Sequence, residues 1–172
     1  MSPTGSTGPT GPSGIDELDA RLIRNLAEAP RAGVMELARR LSVARGTVQA
    51  RLDKLQARRV VTGFGPDLYL PALGYDVLGF VTLEIAQGRL DDVIDHLRNI
   101  PEVIEAHSTT GPGDLHLRVV ARSNEHLQQV INRVLEVSGI LRTATQIALT
   151  EQIGFRVLPL VDQRDQRRRG RR

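Results

Sequence analysis

The sequence predicts an α+β protein with two folded parts, the first helical throughout and the second alternating strands with helices. Two observations predict this. Apolar residues recur at helical spacing from residue 15 to about residue 57, and beyond Pro71 the period switches in the order β-α-β-β-α-β. A third observation limits the folded body. Residues 1–14 hold only Gly, Pro, Ser and Thr apart from Met1 and the last twelve residues carry six Arg, so both ends are expected to be disordered tails.

The first helix opens at Asp16, with Asp19 three residues on as a capping signature, and Leu18, Leu22, Ile23 and Leu26 form its stripe. Pro30 and Gly33 end it. A second helix from Val34 to Leu41 places Leu37, Ala38 and Leu41 on one side, and Ser42-Val43-Ala44 makes a tight connection. The third helix, Arg45 to about Ala57, buries Val48, Leu52 and Leu55. Three short helices with such a connection make a helix-turn-helix. Val60 to Phe64 reads as a strand, hence a small wing.

In the second part Val77 to Ile85, Val103 to Thr109, Leu115 to Ala121 and Ile140 to Leu149 read as strands. Leu90, Val93, Ile94 and Leu97 form one helical stripe, and Leu127, Val130, Ile131, Val134 and Leu135 a second. That order defines a ferredoxin-like sandwich, four antiparallel strands with two helices on one face. The expected organisation is a tail over 1–14, a winged helix-turn-helix over 15–64, a linker strand over 65–76, the sandwich over 77–160 and an Arg-rich tail over 161–172.

Composition removes several classes of function. The absence of cysteine excludes thiol catalysis, disulfides and Cys-based zinc sites. No apolar run approaches the roughly 20 residues of a membrane span, the first 14 residues do not form a signal peptide, and a cytoplasmic protein is expected. No Ser/His/Asp order, phosphate loop or carboxylate pair marks an enzyme, and no cofactor is expected. His96, His107, His116 and His126 are scattered; His107 and His116 are candidate neighbours across a hairpin, but without carboxylates at ligand spacing they do not make a metal site. The second part has Phe80 as its one aromatic on the expected central strands, which argues against an RNA-recognition module.

Charge is unevenly spread. Residues 15–70 are net +3, residues 71–160 net −4 and the last twelve net +4, and Arg39 to Arg59 hold seven cations against the single acid Asp53. A basic patch on a helix-turn-helix points to double-stranded DNA. With Val48, Leu52 and Leu55 inward, the third helix turns Gly46, Ala50 and Asp53 outward, flanked by Thr47, Gln49 and Lys54. Small residues at 46 and 50 let the helix approach base edges; Arg45 suits guanine and Gln49 adenine. Arg51, Lys54, Arg58 and Arg59 suit phosphates, and Asp53, which repels DNA, is expected to pair with a nearby arginine.

In the second part Gly111-Pro112-Gly113 lets backbone approach a ligand, and Asp114 offers a carboxylate to a ligand ammonium. Thr143 and Thr145 share a strand face with Leu141 and Ile147, where hydroxyls suit an effector carboxylate. The alternative is an ordinary hairpin turn in which Asp114 caps backbone.

These residues resemble the Lrp/AsnC, or feast/famine, family. The likeness lies in Ile15-Asp16-Glu17-Leu18-Asp19, Leu26, Glu36-Leu37-Ala38, Val43 through Arg51-Leu52 and Leu55, Val60-Val61-Thr62-Gly63-Phe64 and Gly74. It continues in Val103-Ile104-Glu105-Ala106, Thr110-Gly111 with Asp114, and Ser138-Gly139-Ile140 before Arg142-Thr143, and covers about residues 15–155. The resemblance implies a nucleoid-associated transcriptional regulator whose second domain forms homodimers, assembles them into octamers and binds an amino acid or similar effector between dimers. Two positions depart from the family pattern. Ala44 stands where the family has a capping Ser, and Gly113 where it has an aromatic, which implies a more open and less stacked loop. Two other readings fit parts of the pattern: a sirohaem-decarboxylase-like enzyme, and an architectural protein that binds DNA with little sequence choice.

Overall fold

Asp16 starts the first helix, α1 (Glu17–Glu28), by a reciprocal cap in which its carboxylate accepts from the Asp19 amide at 2.9 Å and the Asp19 carboxylate accepts from the Asp16 amide at 3.0 Å. In this computed structural model, which describes residues 14–162, α1 is followed by α2 (Val34–Leu41) and α3 (Arg45–Ala57). Ser42 turns the chain between α2 and α3 through a left-handed conformation (φ 57°), and the Val43 amide closes the end of α2 on the Ala38 carbonyl at 3.1 Å. Leu22, Leu37, Leu41, Val48, Leu52 and Leu55 meet as one apolar cluster, which fixes the three helices as a unit.

A polar clamp reinforces that cluster. Arg51 on α3 reaches both carboxylates of the α1 cap, Asp16 through Nη1 and Asp19 at 2.9 Å. Asp19 is 2% exposed, so its charge is compensated where water cannot reach it. Burial, the largest single influence on Asp16, would raise its carboxyl; the Arg51 hydrogen bond, the Asp19 amide and the Arg51 charge together hold it below the ordinary 3.8.

The wing expected over 60–64 and the linker strand expected over 65–76 do not form. The amides of Val60 and Val61 both donate to the Leu55 carbonyl, at 2.8 and 3.3 Å, so this stretch closes α3 instead of extending. The segment ahead of Gly74 is a 3-10 turn, Leu70–Leu73, and Gly74 takes φ 84° at its end.

The second unit spans residues 67–153. It contains β1 (Val77–Ile85), α4 (Leu90–Leu97), β2 (Val103–Ser108), β3 (Leu115–Ala121), α5 (Asn124–Val134) and β4 (Ile140–Ile147). The sheet order is β2-β3-β1-β4, antiparallel throughout, which is the ferredoxin-like arrangement. Odd-numbered residues of β1 and β3, including Val81, Leu83, Leu117 and Val119, face the core with Val93, Leu97, Val130 and Val134 from the helices. Thr82, Glu84, His116 and Arg118 lie on the other face. Leu135 falls just past α5 and is exposed, and β4 ends at Ile147 rather than Leu149.

Residues 154–162 cluster with the helical unit and not with the sandwich. Residues 158–162 are helical, so Val161 and Asp162, expected in the tail, are structured. The remaining tail residues, 1–13 and 163–172, lie outside the described residues.

The clamp makes a pH-dependent contribution of known sign. Asp16 titrates lower folded than unfolded, so its stabilisation is present above about pH 3.8 and is lost as pH falls through its folded value. Replacing Arg51 by Met is expected to destabilise the helical unit by about 1.5–3 kcal/mol at neutral pH. The penalty should shrink in acid as Asp16 becomes neutral. Chemical denaturation at pH 7 and pH 3 checks both points, and an equal loss at the two pH values would contradict the clamp.

Candidate nucleic-acid interface and ligand site

On α3, Val48, Leu52 and Leu55 are buried while Arg45, Gly46, Thr47, Gln49, Ala50, Asp53 and Lys54 are exposed. Adding a Cβ at Gly46 would meet nothing within 4 Å, so that point of the surface is unobstructed. Gln49 and Asp53 are joined: Gln49 Nε2 donates to Asp53 Oδ1 at 2.8 Å. The partner of Asp53 is thus an amide one turn away, not the arginine expected. That bond uses one amide proton and leaves the Gln49 carbonyl oxygen and its second proton, the groups that pair with adenine.

The seven cations between Arg39 and Arg59 divide into two groups. Arg39 and Arg40 share Glu36, at 2.8 and 2.7 Å, and their hydrogen bonds hold its exposed carboxyl down to about 2. Arg51 belongs to the clamp, and Arg58 Nη2 donates to the Gly14 carbonyl at 3.2 Å. Two residues expected at phosphates, Arg51 and Arg58, are therefore engaged inside the helical unit. Arg45, Lys54 and Arg59 are exposed and form no ion pair with an acid among the described residues. The usable basic surface is smaller than the charge count implied.

Ala44 is the residue before α3 and gives no side-chain cap. Neither Ser42 nor Arg45 replaces it. The Arg45 and Gly46 amides at the start of α3 consequently have no side-chain cap, while those of Thr47 and Val48 donate to the Ala44 carbonyl.

In the second unit the loop between β2 and β3 lies flat on β1. The Asp114 amide donates to the Leu83 carbonyl at 2.7 Å, and Asp114 Oδ2 accepts from the Ile85 amide at 2.6 Å. Gly113 has φ 108°, and a Cβ there would meet Thr82 Cγ2 at 2.3 Å. The loop is therefore tighter at Gly113 than the resemblance implied, because the Thr82 methyl, with the Leu83 carbonyl behind it at 3.2 Å, occupies the place where a side chain would stand. Asp114 serves as a backbone cap with its other oxygen still available. Gly111 (φ 112°) and Pro112 are exposed at the tip.

Thr143 and Thr145 face Leu83 and Val81 across the β1–β4 ladder, so Leu83 has Leu115 on one side and Thr143 on the other. Thr143 Oγ1 is buried without a hydrogen-bond partner, whereas Thr145 is exposed on the edge strand. Asp114 and Thr143 thus flank the same end of β1 and do not meet across it.

Two features had no sequence signal. Arg89 lies over Gly139 and donates to Ser138 Oγ at 2.6 Å, fixing the turn into β4. Glu102, almost fully buried, lies 3.4 Å from His126 Nε2 and 2.8 Å from Arg133 Nη2. Burial alone would raise the Glu102 carboxyl, but Arg133 beside it and the other partners bring it below its usual value. His107 and His116 are direct cross-strand partners, and His116 stacks on Phe80 with centroids 5.8 Å apart. Among the described residues no group of three His, Cys, Asp or Glu is placed to hold a metal ion, and no helix is long and apolar enough to cross a membrane.

The fold and its surfaces define a helix-turn-helix unit of the DNA-binding kind joined to an α+β sandwich of the ligand-binding kind. Comparison with known proteins agrees: residues 15–56 match the AsnC-type helix-turn-helix domain, and residues 78–156 match the Lrp/AsnC ligand binding domain. The regulatory protein AsnC of Escherichia coli is 31% identical over 147 residues, covering 84% of this chain and 97% of that protein. The structure of E. coli AsnC superposes with a TM-score of 0.78, covering 84% of this chain and 99% of that one. The feast or famine regulatory protein of M. tuberculosis, solved in complex with L-methionine, is 29% identical with a TM-score of 0.73, covering 84% and 98%. This chain belongs to the Lrp/AsnC family of transcriptional regulators, with a helix-turn-helix domain and a ligand-binding domain.

The bare start of α3 gives a direct stability test. Ala44 already has the extended backbone of a capping residue (φ −65°, ψ 147°), so Ala44→Ser is expected to stabilise the helical unit by about 0.5–2 kcal/mol. A thermal melt that does not rise would show that the α3 amides are satisfied in another way.

Proposed function

We propose that the chain is a sequence-specific regulator that binds double-stranded DNA through α3, acts as a homo-oligomer and responds to an amino acid or a related small metabolite. The observation that carries the reading is the outer face of α3. Its back is fixed by buried Val48, Leu52 and Leu55, and its front combines small Gly46 and Ala50 with exposed Arg45, Thr47, Gln49 and Lys54. Such a helix can lie deep in a major groove with two side chains suited to base edges. In this reading Arg45 and Gln49 choose bases, Lys54 and Arg59 hold phosphates, and Arg51 and Arg58 support the helix from behind.

Self-association is supported by large apolar side chains left exposed in the connecting segments, among them Tyr69, Leu149 (96% exposed) and Phe155 (86% exposed). A dimer would present two copies of α3 to half-sites about one duplex turn apart. Sensing is supported by the loop at Gly111, Pro112, Gly113 and Asp114, by the unpartnered Thr143 hydroxyl and by Thr145 on the neighbouring edge strand. The relative solved with L-methionine points to an amino acid as the ligand class. Because Asp114 and Thr143 stand on opposite sides of β1, a second copy of the chain would have to complete the site. In this reading the protein works in the cytoplasm, on the nucleoid.

Selection of bound duplexes from random DNA, with and without pooled amino acids, tests the reading. An enriched palindrome whose binding shifts with one amino acid supports it; no enrichment leaves an architectural role with little sequence choice. Gln49→Ala is expected to relax preference at one base position by about 1–3 kcal/mol, and Lys54→Ala to weaken all duplexes alike. Uniform loss from Gln49→Ala would remove that residue from base readout.

A further inference from the structure

Asp53 is the one acidic side chain of α3, and it stands exposed on the outer face beside exposed Gln49 and Ala50. The arginines that could neutralise it are taken: Arg39 and Arg40 by Glu36, and Arg51 by Asp16 and Asp19. A carboxylate at this position repels phosphates and so weakens binding to every duplex alike. What it holds instead is Gln49, one turn earlier on the same face, whose Nε2 donates to Asp53 Oδ1 at 2.8 Å. Gly46 and Ala50 are small, so neither places a bulky side chain between this pair and a base edge.

We propose that Asp53 is a positioning residue for base choice: by holding one proton of Gln49 it fits the Gln49 amide to adenine and against guanine. The inference rests on the base-reading role of α3 given above and deepens it by naming what sets the choice. A primary amide has two donor protons and one acceptor oxygen, and half a rotation about its last bond presents them in the opposite order. An ionised carboxylate removes that freedom, because it only accepts: it receives the Nε2 proton and would repel Oε1. Gln49 is left with one N–H and one carbonyl oxygen in a fixed order. In the major groove adenine offers the matching pair, the N7 acceptor and the N6 donor. Guanine offers two acceptors, N7 and O6. A free glutamine can turn both protons toward them, whereas one that has given a proton to Asp53 sets its carbonyl oxygen against one of them. The charge of Asp53 acts on all duplexes and its hydrogen bond on one base position, so the two effects separate in experiment.

The test uses the full chain and a duplex it selects from random DNA. Gln49→Ala locates the base position that Gln49 reads, and duplexes with adenine or guanine there are then compared for each variant. Asp53→Ala is expected to lower the preference for adenine over guanine by at least about fivefold, the low end of what one bidentate contact gives. It should also raise affinity for a scrambled duplex by about threefold at low salt, an effect that fades as salt is added. Asp53→Asn keeps an oxygen for the Gln49 proton and loses the charge. It should show the same general rise in affinity and retain the preference. In a Gln49→Ala chain, adding Asp53→Ala should leave the remaining preference unchanged, because the two residues act as a unit. Asp53 is exposed on the helix and alanine is the better helix former, so these variants keep the fold.

An unchanged preference in Asp53→Ala overturns the inference while leaving Gln49 as a base reader. Equal loss of preference in Asp53→Asn and Asp53→Ala also overturns it, since the charge and not the hydrogen bond would then make the choice. A further loss on adding Asp53→Ala to Gln49→Ala overturns it as well, because Asp53 would then act on the base directly. So does a preferred base other than adenine at the position Gln49 reads. A Gln49→Ala chain that keeps every preference of the parent is a different result, and it overturns the base-reading role of Gln49 itself.

Discussion

The surface of the helical unit depends on how α3 is held from behind. Val48, Leu52 and Leu55 fix its rotation by burial, and Arg51, bound to Asp16 and Asp19 of the α1 cap, fixes it by charge. Either alone would leave some freedom: apolar contacts are non-directional, while a guanidinium between two carboxylates sets both distance and angle. With this rotation settled, Gly46, Ala50 and Gln49 face outward together. The cap also performs two tasks, because the carboxylates that satisfy the first amides of α1 are those that receive Arg51.

The second unit is organised around β1, which pairs with β3 on one side and β4 on the other. Its far end gathers the ligand-site candidates. The Leu83 carbonyl receives the Asp114 amide, and the Ile85 amide is capped by the Asp114 carboxylate where the β1–β4 register shifts. Contact between the Gly113 backbone and Thr82 explains the glycine: a side chain with φ 108° at that distance would be both strained and blocked. The candidate ligand loop is consequently tied to the sheet through both the backbone and the side chain of Asp114.

Much of this was legible from residue order. Helical and strand periods located α1 to α5 and β1 to β4, because burying one face imposes those periods on the chain. The outward set on α3 followed from the same geometry. The wing did not: Val60 and Val61 have strand-forming side chains, but a strand needs a neighbour, and their amides are satisfied by Leu55. The basic patch was overcounted for a related reason. A tally of cations does not show that Glu36 holds two of them, that the α1 cap holds a third, or that the Gly14 carbonyl takes a fourth.

The sequence by itself determined which segments are helix and strand, the sandwich topology, the inward face of α3 and the strongly basic character of the C-terminal segment. These follow from local periodicity and composition, which act along the chain. Tertiary structure decided which charges remain available, that Asp53 orients Gln49, that Asp114 closes a strand end, and that residues 154–162 return to pack with helices more than a hundred residues earlier. Each depends on partners distant in sequence or on the direction of a side chain, and neither quantity is written in the order of residues until the chain has folded.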